Sequence, residues 1–308
     1  MQDAVLAIDG GQTGVRARFA SGSGEIFESA GLITHQPLST QIADVVAHVR
    51  EASGRPIKTV AAGLSGLVDA EKTAHELLSR TAGAGVEHVV VTHDSVTSYL
   101  GALGEAPGVV TASGTGVVTL AVGRERHARV DGWGFSMGDA GSGFWIGRAV
   151  LEAVMRAHDG RGPDTALTEV VEAELGDLPT AYIRLQADPR WVSRTAQFAA
   201  AAARLAHHDA VARGICEAAA AEVALSIRAA ARAAQLTEQP VSVCLLGGVL
   251  RPGPVREATL AALAAGATGP DEILVEVRRP AADALAGAAR LPALNADSPL
   301  RELVCAAG

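Results

Sequence analysis

The 308-residue chain is short of several things, and each shortage excludes a class of function. Its three cysteines, Cys216, Cys244 and Cys305, are widely scattered and form no CxxC pair. That spacing excludes a local zinc knuckle and offers no disulfide framework, so buried or incidental thiols are expected. Positive charge is not in excess either. The formal net charge is −8, which argues against a nucleic-acid-binding surface. Only two lysines occur, Lys58 and Lys72, which reads as the coding bias of a GC-rich genome and leaves no lysine in the glycine-rich loops. Nowhere do about 18 apolar residues run uninterrupted by Arg, Glu, Asp or His, so no transmembrane helix is predicted. Met1-Gln-Asp3 passes directly into an apolar run without the basic segment of a signal peptide, and the expectation is a soluble cytoplasmic protein.

What is present is a globular composition, 48% hydrophobic and 19% charged, enough for two ordinary domains or one large one. Ala4 to Ile8 is an apolar run that stops at Asp9-Gly-Gly-Gln-Thr-Gly14, and Val15 to Ala20 then alternates with period two. Residues 4–20 therefore predict a β-hairpin with a glycine-rich turn. Val60 to Ser65 and Val89 to Val91 read as further strands, with helix-compatible Ala70 to Arg80 between them. Strands alternating with helices predict an α/β domain whose strand ends gather at one edge. At Gly108 the opening pattern repeats: Val109 to Ala112, the turn Ser113-Gly-Thr-Gly116, then Val117 to Val122. The echo of Gly11-Gln-Thr-Gly-Val15 in Ser113-Gly-Thr-Gly-Val117 suggests two related domains, against a chance likeness of two hairpins.

From about Gly147 to Gln235 the chain is mostly helical in character. Ala149 to His158 and Thr165 to Leu175 read as helices, the second stopped by Gly176. Phe198 to Gln235 is an alanine-rich helical stretch divided near His207-His-Asp209 and at Gly214. Val241 to Leu246 followed by Gly247-Gly248, a strand over Ile273 to Val277 and a helix over Ala281 to Arg290 close the chain.

A glycine turn between strands suits phosphate, because the backbone can come close and aim N–H groups at an anion while threonine adds a hydroxyl. Thr13 and Thr115 occupy the two such turns. Neither turn is a GxxxxGK[ST] loop or a GxGxxG between strand and helix. Asp9, at the end of the first strand, suits Mg²⁺ held through water, or else a turn cap. Asp94 follows Val89-Val-Val-Thr-His93 and precedes a helix over Ser95 to Leu103. It reads equally as that helix's N-cap or as a carboxylate at the ligand edge. The densest segment is Asp131-Gly-Trp-Gly-Phe-Ser-Met-Gly-Asp-Ala-Gly-Ser-Gly-Phe-Trp-Ile-Gly147. So much glycine and tryptophan in one loop points to a ligand, with Asp139 as its acidic member.

These segments in this order resemble the sugar-kinase, Hsp70 and actin superfamily, and within it the N-acetylglucosamine kinase branch of the BadF/BadG/BcrA/BcrD-type ATPases. The resemblance implies two actin-like (ribonuclease H-like) α/β domains around a central ATP and sugar cleft. The domains would span residues 1–111 and 112–308, the second with a helical insert over about 147–236. Whether residues 291–308 pack back on the first domain stays open. By the same resemblance Gly10, Gly11, Thr13, Ser113, Gly114, Thr115 and Gly116 hold ATP phosphates, with Asp9 near Mg²⁺. Gly247 and Gly248 fit the adenosine motif, and Asp94 is the general base for an amino sugar's 6-hydroxyl. His35, Ser65, Gly132, Trp133 and Asp139 line the sugar pocket. Two departures, Ala140 where the family usually has an acid and His35 where it has an asparagine, leave the sugar open: N-acetylglucosamine first, then glucosamine or N-acetylmuramic acid. A non-catalytic sugar sensor is a further alternative. A dehydratase-activating ATPase ranks lower, because its iron–sulfur cluster needs closely placed cysteines. A homodimer stays open.

Overall fold

The computed structural model describes residues 4–21, 24–265 and 273–308. The chain divides into two compact units: residues 1–107, 122–127 and 279–308 form one, residues 108–121 and 128–278 the other.

The first unit is built on strands β1 (Val5–Gly10), β2 (Val15–Phe19), β3 (Phe27–Ser29), β4 (Thr59–Leu64), β5 (His88–His93) and β11 (Val304–Ala307). Their order across the sheet is β11-β5-β4-β1-β2-β3. The β1–β2 pair is the antiparallel hairpin expected from the alternation, and β1, β4 and β5 run parallel. Helices α1 (Leu38–Ser53) and α2 (Ala70–Thr81) supply Ile42, Val46, Val49, Ala74 and Leu77 to a core with Leu6, Ile8, Val60, Ala62, Val89 and Val91. Alternate residues point the other way, as strand geometry requires. Ala7 accordingly packs with Leu285 and Ala288 of α10 (Ala284–Arg290), which lies against α3 (Asp94–Leu103). The α3–α10 approach is close enough that a Cβ at Gly287 would collide with the Thr97 carbonyl oxygen. The C-terminal residues complete this unit: β11 pairs antiparallel with β5, and the Thr92 hydroxyl donates to the Leu303 carbonyl at 2.6 Å.

The second unit holds β6 (Gly108–Ser113), β7 (Val117–Val122), β8 (His127–Val130), β9 (Val241–Leu246) and β10 (Val275–Arg278). They lie in the order β10-β9-β6-β7-β8, with β9 parallel to both β6 and β10. Among the described residues six helices accompany them: α4 (Gly143–His158), α5 (Leu167–Leu175), α6 (Leu178–Ala187), α7 (Trp191–Leu205), α8 (Ala210–Ala233) and α9 (Pro254–Ala265). In α8 the buried positions Ala212, Cys216, Ala219, Ala220, Val223, Ala224, Ile227, Ala230 and Ala231 recur at helical spacing.

Several boundaries differ from the sequence expectation. Gly214 does not divide the alanine-rich stretch, because it sits on the exposed face of α8 with open space around it. The break falls at Asp209, whose carboxylate caps α8 by accepting the Ala212 N–H at 2.8 Å. Helix α4 starts at Gly143 rather than near Gly147, with Ser142 as N-cap. The close approach of α7 accounts for glycine inside this helix, since a Cβ at Gly147 would strike the Thr195 carbonyl. The expected strand over Ile273 to Val277 is β10, from Val275.

Candidate active site

In the first unit the parallel strands bring three predicted segments into one row. Gly10 of β1 is registered with Leu64 of β4, and Leu64 with His93 of β5. The next residues along each strand, Gly11, Ser65 and Asp94, therefore leave the sheet together at its carboxyl edge, where α/β sheets bind ligands. Backbone bonds tie this edge: Ser65 N–H donates to the Gly10 carbonyl at 2.8 Å and Gly11 N–H to the Gly14 carbonyl at 3.0 Å. The segment carrying His35 lies alongside, since Leu32 N–H donates to the Gly11 carbonyl at 2.9 Å. Gln41 clamps that segment by accepting the Ile33 N–H and donating to the Ile33 carbonyl, and the His35 side chain is exposed.

Asp9 and Arg16 are partners in the β1–β2 register, and the guanidinium donates to Asp9 Oδ2 at 2.6 Å. Burial raises the Asp9 carboxyl above its ordinary range, the Arg16 bond pulls it back, and the Asp94 and Asp283 carboxylates push it up again. A single half-enclosed carboxylate beside a glycine turn fits Mg²⁺ held through water and phosphate oxygens, since Mg²⁺ keeps most of its waters.

Asp94 is not the N-cap of α3. That position belongs to His93, whose Nδ1 lies 3.3 Å from the Ser95 amide nitrogen, and Asp94 is the first helical residue. The cap reading of Asp94 is thereby replaced, and its carboxylate is free for other work. Its Oδ1 is buried without a hydrogen-bond partner, although His93 Nδ1 stands 2.7 Å away.

In the second unit the β6–β7 turn collects most of the remaining predicted residues. Gly114 N–H donates to the Gly116 carbonyl at 2.8 Å, which closes the turn. The first N–H groups of α4 dock onto it: Gly143 donates to the Gly114 carbonyl at 2.7 Å and Phe144 to the Thr115 carbonyl at 3.1 Å. Helix N-terminal donors with no intrahelical partner are thus satisfied by the hairpin. Ser113 is buried, with its hydroxyl on the Gly141 carbonyl. Gly247 presses on the same spot at φ 90°, where a Cβ would collide with the Ser113 carbonyl, while Gly248 faces open space.

The loop between β8 and α4 is cinched by Asp131, a residue of the dense segment whose role the sequence reading did not find. Its Oδ1 accepts N–H bonds from Gly132 and Asp139, both at 2.7 Å, and its Oδ2 one from Ala140 at 3.0 Å. Asp131 and Asp139 both have φ of 60°, a left-handed conformation that non-glycine residues adopt at some cost. Asp139 is buried against Gly116 of the β6–β7 turn, whereas Trp133 from the same loop is 64% exposed, with the Arg129 guanidinium 5.2 Å from its ring centre. The two expected pocket residues therefore diverge within one loop. Burial, with the Asp131 charge, raises the Asp139 carboxyl above its ordinary range despite N–H bonds from Gly134 and Val117. Phe135 joins Phe144 and Trp191 in an aromatic cluster with ring centres 5.0–5.5 Å apart.

All three cysteines are free. Cys216 and Cys244 are buried, and burial pushes the Cys216 thiol up to about 11.

Two α/β units, each carrying a glycine hairpin in its sheet, give this chain the fold of the actin-like ATPases, the class that includes the hexokinases. Within that class, residues 6–289 match the BadF/BadG/BcrA/BcrD ATPase family, and the chain belongs to it. An N-acetyl-D-glucosamine kinase from Dictyostelium discoideum is 34% identical over 39% of this chain and 38% of its own length. An N-acetylmuramic acid/N-acetylglucosamine kinase from Clostridium acetobutylicum is 26% identical over 53% of this chain and 54% of its own length. The matched stretches thus span about half or less of these relatives. A crystal structure from Chromobacterium violaceum, described as a candidate N-acetylglucosamine kinase, aligns with a TM-score of 0.72 at 25% identity. That alignment covers 93% of this chain and 98% of the other. No helix among the described residues is long and apolar enough to cross a membrane.

Proposed function

We propose that this protein is an ATP-dependent kinase that phosphorylates the 6-hydroxyl of an amino sugar, N-acetylglucosamine first among the candidates. The observation that carries the reading is the position of Asp94: a carboxylate at the edge where β1, β4 and β5 end, beside Ser65 and a glycine turn. Family membership and the printed activities of the two curated relatives support it.

In this reading Gly10, Gly11 and Thr13, with Ser113, Gly114, Thr115 and Gly116, bind the phosphates of ATP through backbone N–H groups and hydroxyls. Gly247 and Gly248 leave room for the nucleoside. Asp9 holds Mg²⁺ through water, and the metal, when bound, supplies neutralising charge to the phosphates. Asp94 accepts the proton of the sugar hydroxyl as its oxygen bonds to the γ-phosphorus, and the bond to the bridging oxygen breaks with its electron pair leaving on ADP. Ser65, His35, Gly132, Trp133 and Asp139 are the candidates for sugar recognition. A cytoplasmic location fits a protein that consumes ATP.

The test is ADP release from Mg-ATP with N-acetylglucosamine, glucosamine, N-acetylmuramic acid, N-acetylmannosamine and glucose as acceptors. Turnover with one amino sugar well above glucose supports the reading. Turnover on none of them, with ATP bound, overturns it.

A further inference from the structure

In the Asp94 site a histidine ring nitrogen is set against the buried half of the carboxylate. Three groups surround His93 Nδ1. The Ser95 amide nitrogen lies 3.3 Å away, the Ser95 hydroxyl 3.1 Å and Asp94 Oδ1 2.7 Å. A ring nitrogen carries either a lone pair or a proton, never both. With a lone pair it caps α3 but turns that pair toward a carboxylate oxygen and leaves the buried Oδ1 unpartnered. An unpaired buried carboxylate oxygen is costly. With a proton, Nδ1 donates to Oδ1, and the Ser95 hydroxyl, able to donate or accept, tolerates either state. His93 and Asp94 are each about a quarter exposed, so the pair borders the site without being open to bulk water.

We infer that His93 is a positioning residue for Asp94: its Nδ1–H holds Oδ1 and leaves Oδ2 as the oxygen that takes the substrate hydroxyl's proton. The inference rests on the kinase reading, in which Asp94 is the base. No bond at His93 is made or broken in the reaction, and the Nδ1 proton stays on the ring. The residue gives the base one orientation, and misplacement of a reacting group on the ångström scale costs roughly a hundredfold in rate.

The alternative role is local and structural: with a lone pair on Nδ1, His93 caps α3 instead of donating to Asp94. Three substitutions separate the two. His93→Ala removes whichever of the two His93 supplies, His93→Ser supplies a strong cap without a donor matched to Oδ1, and His93→Asn supplies an amide N–H. The inference predicts that kcat falls roughly 100-fold in His93→Ala with KM for ATP and sugar unchanged. It predicts that His93→Ser does not recover kcat, and that His93→Asn recovers much of it. Full recovery of kcat by His93→Ser, or loss through KM alone, overturns it, because a cap is then all that His93 provides. Asp94→Asn, run alongside, separates the two levels. If that variant keeps full turnover, the kinase reading of Asp94 fails and this inference with it. If it is inactive while His93→Ser behaves as wild type, only the inference fails.

Discussion

Asp139 occupies the space that a side chain at Gly116 would need: a Cβ there would stand 2.7 Å from Asp139 Oδ2. The acid at the end of the Gly132–Gly138 loop is thus held against the turn of the second glycine hairpin, and Asp131 holds the loop backbone in place. The site of the second unit is assembled by a carboxylate that burial makes reluctant to ionise.

That reluctance has a measurable consequence. A carboxyl raised in the folded state stabilises the protein below its unfolded value, near 3.9, and loses that contribution as pH rises through the folded value. At neutral pH the ionised Asp139 therefore costs stability, and Asp139→Asn is expected to raise the melting temperature. The difference between variant and wild type should shrink as pH falls through the carboxylate range. Melting curves of both proteins from pH 4 to pH 8 check it, and a variant less stable at every pH would refute it.

Asp209 behaves in the opposite sense. Burial raises its carboxyl, but N–H bonds from Ala212 and Ala166 and the Thr165 hydroxyl outweigh that, so it lies below the ordinary range. Its stabilisation is present above the unfolded value and is lost as pH falls through the folded one. Asp209→Ala should cost about 2 kcal/mol at neutral pH. The loss should narrow in acid, as followed by denaturant unfolding at pH 7 and below pH 4.

One substitution should have opposite effects at two glycines. A Cβ at Gly147 of α4 would collide with the Thr195 carbonyl of α7. Gly147→Ala should cost about 3 kcal/mol. Gly214 lies in the second turn of α8 with nothing near it. Gly214→Ala should stabilise by about 0.5–1 kcal/mol. Urea midpoints of the two variants decide both signs.

The contrast between those glycines explains much of what the sequence made legible. Strands that alternate and stop at glycine turns, β1–β2 and β6–β7, are visible because their pattern is local. Glycine in a helix is ambiguous, since it marks a break, a cap or a close approach, and only the neighbouring helix tells which. Gly214 and Gly143–Gly147 were open to misreading for that reason. Helix α1, with its buried stripe at Leu38, Ile42, Val45, Val46 and Val49, is not among the expected elements. Helix α6 begins with Pro179 in its first turn, a recognisable start signal. The pairing of β11 with β5 joins residues far apart in the chain, and no local pattern announces it. The carboxylates Asp9, Asp94 and Asp139 stand out as acids beside glycine or at strand ends. Their neighbours Arg16, His93 and Asp131 do not, because what they do depends on which atoms they face.

The most direct test of the central claim is the turnover of Asp94→Asn, with ATP binding measured on the same preparation. A general base contributes roughly 10²–10⁴ in rate. The variant should therefore lose at least about a hundredfold in sugar-dependent ADP release while binding Mg-ATP as the wild type does. Turnover near the wild-type rate would show that the reaction does not need this carboxylate, and would remove the basis for reading the edge of β1, β4 and β5 as the phosphoryl-transfer site.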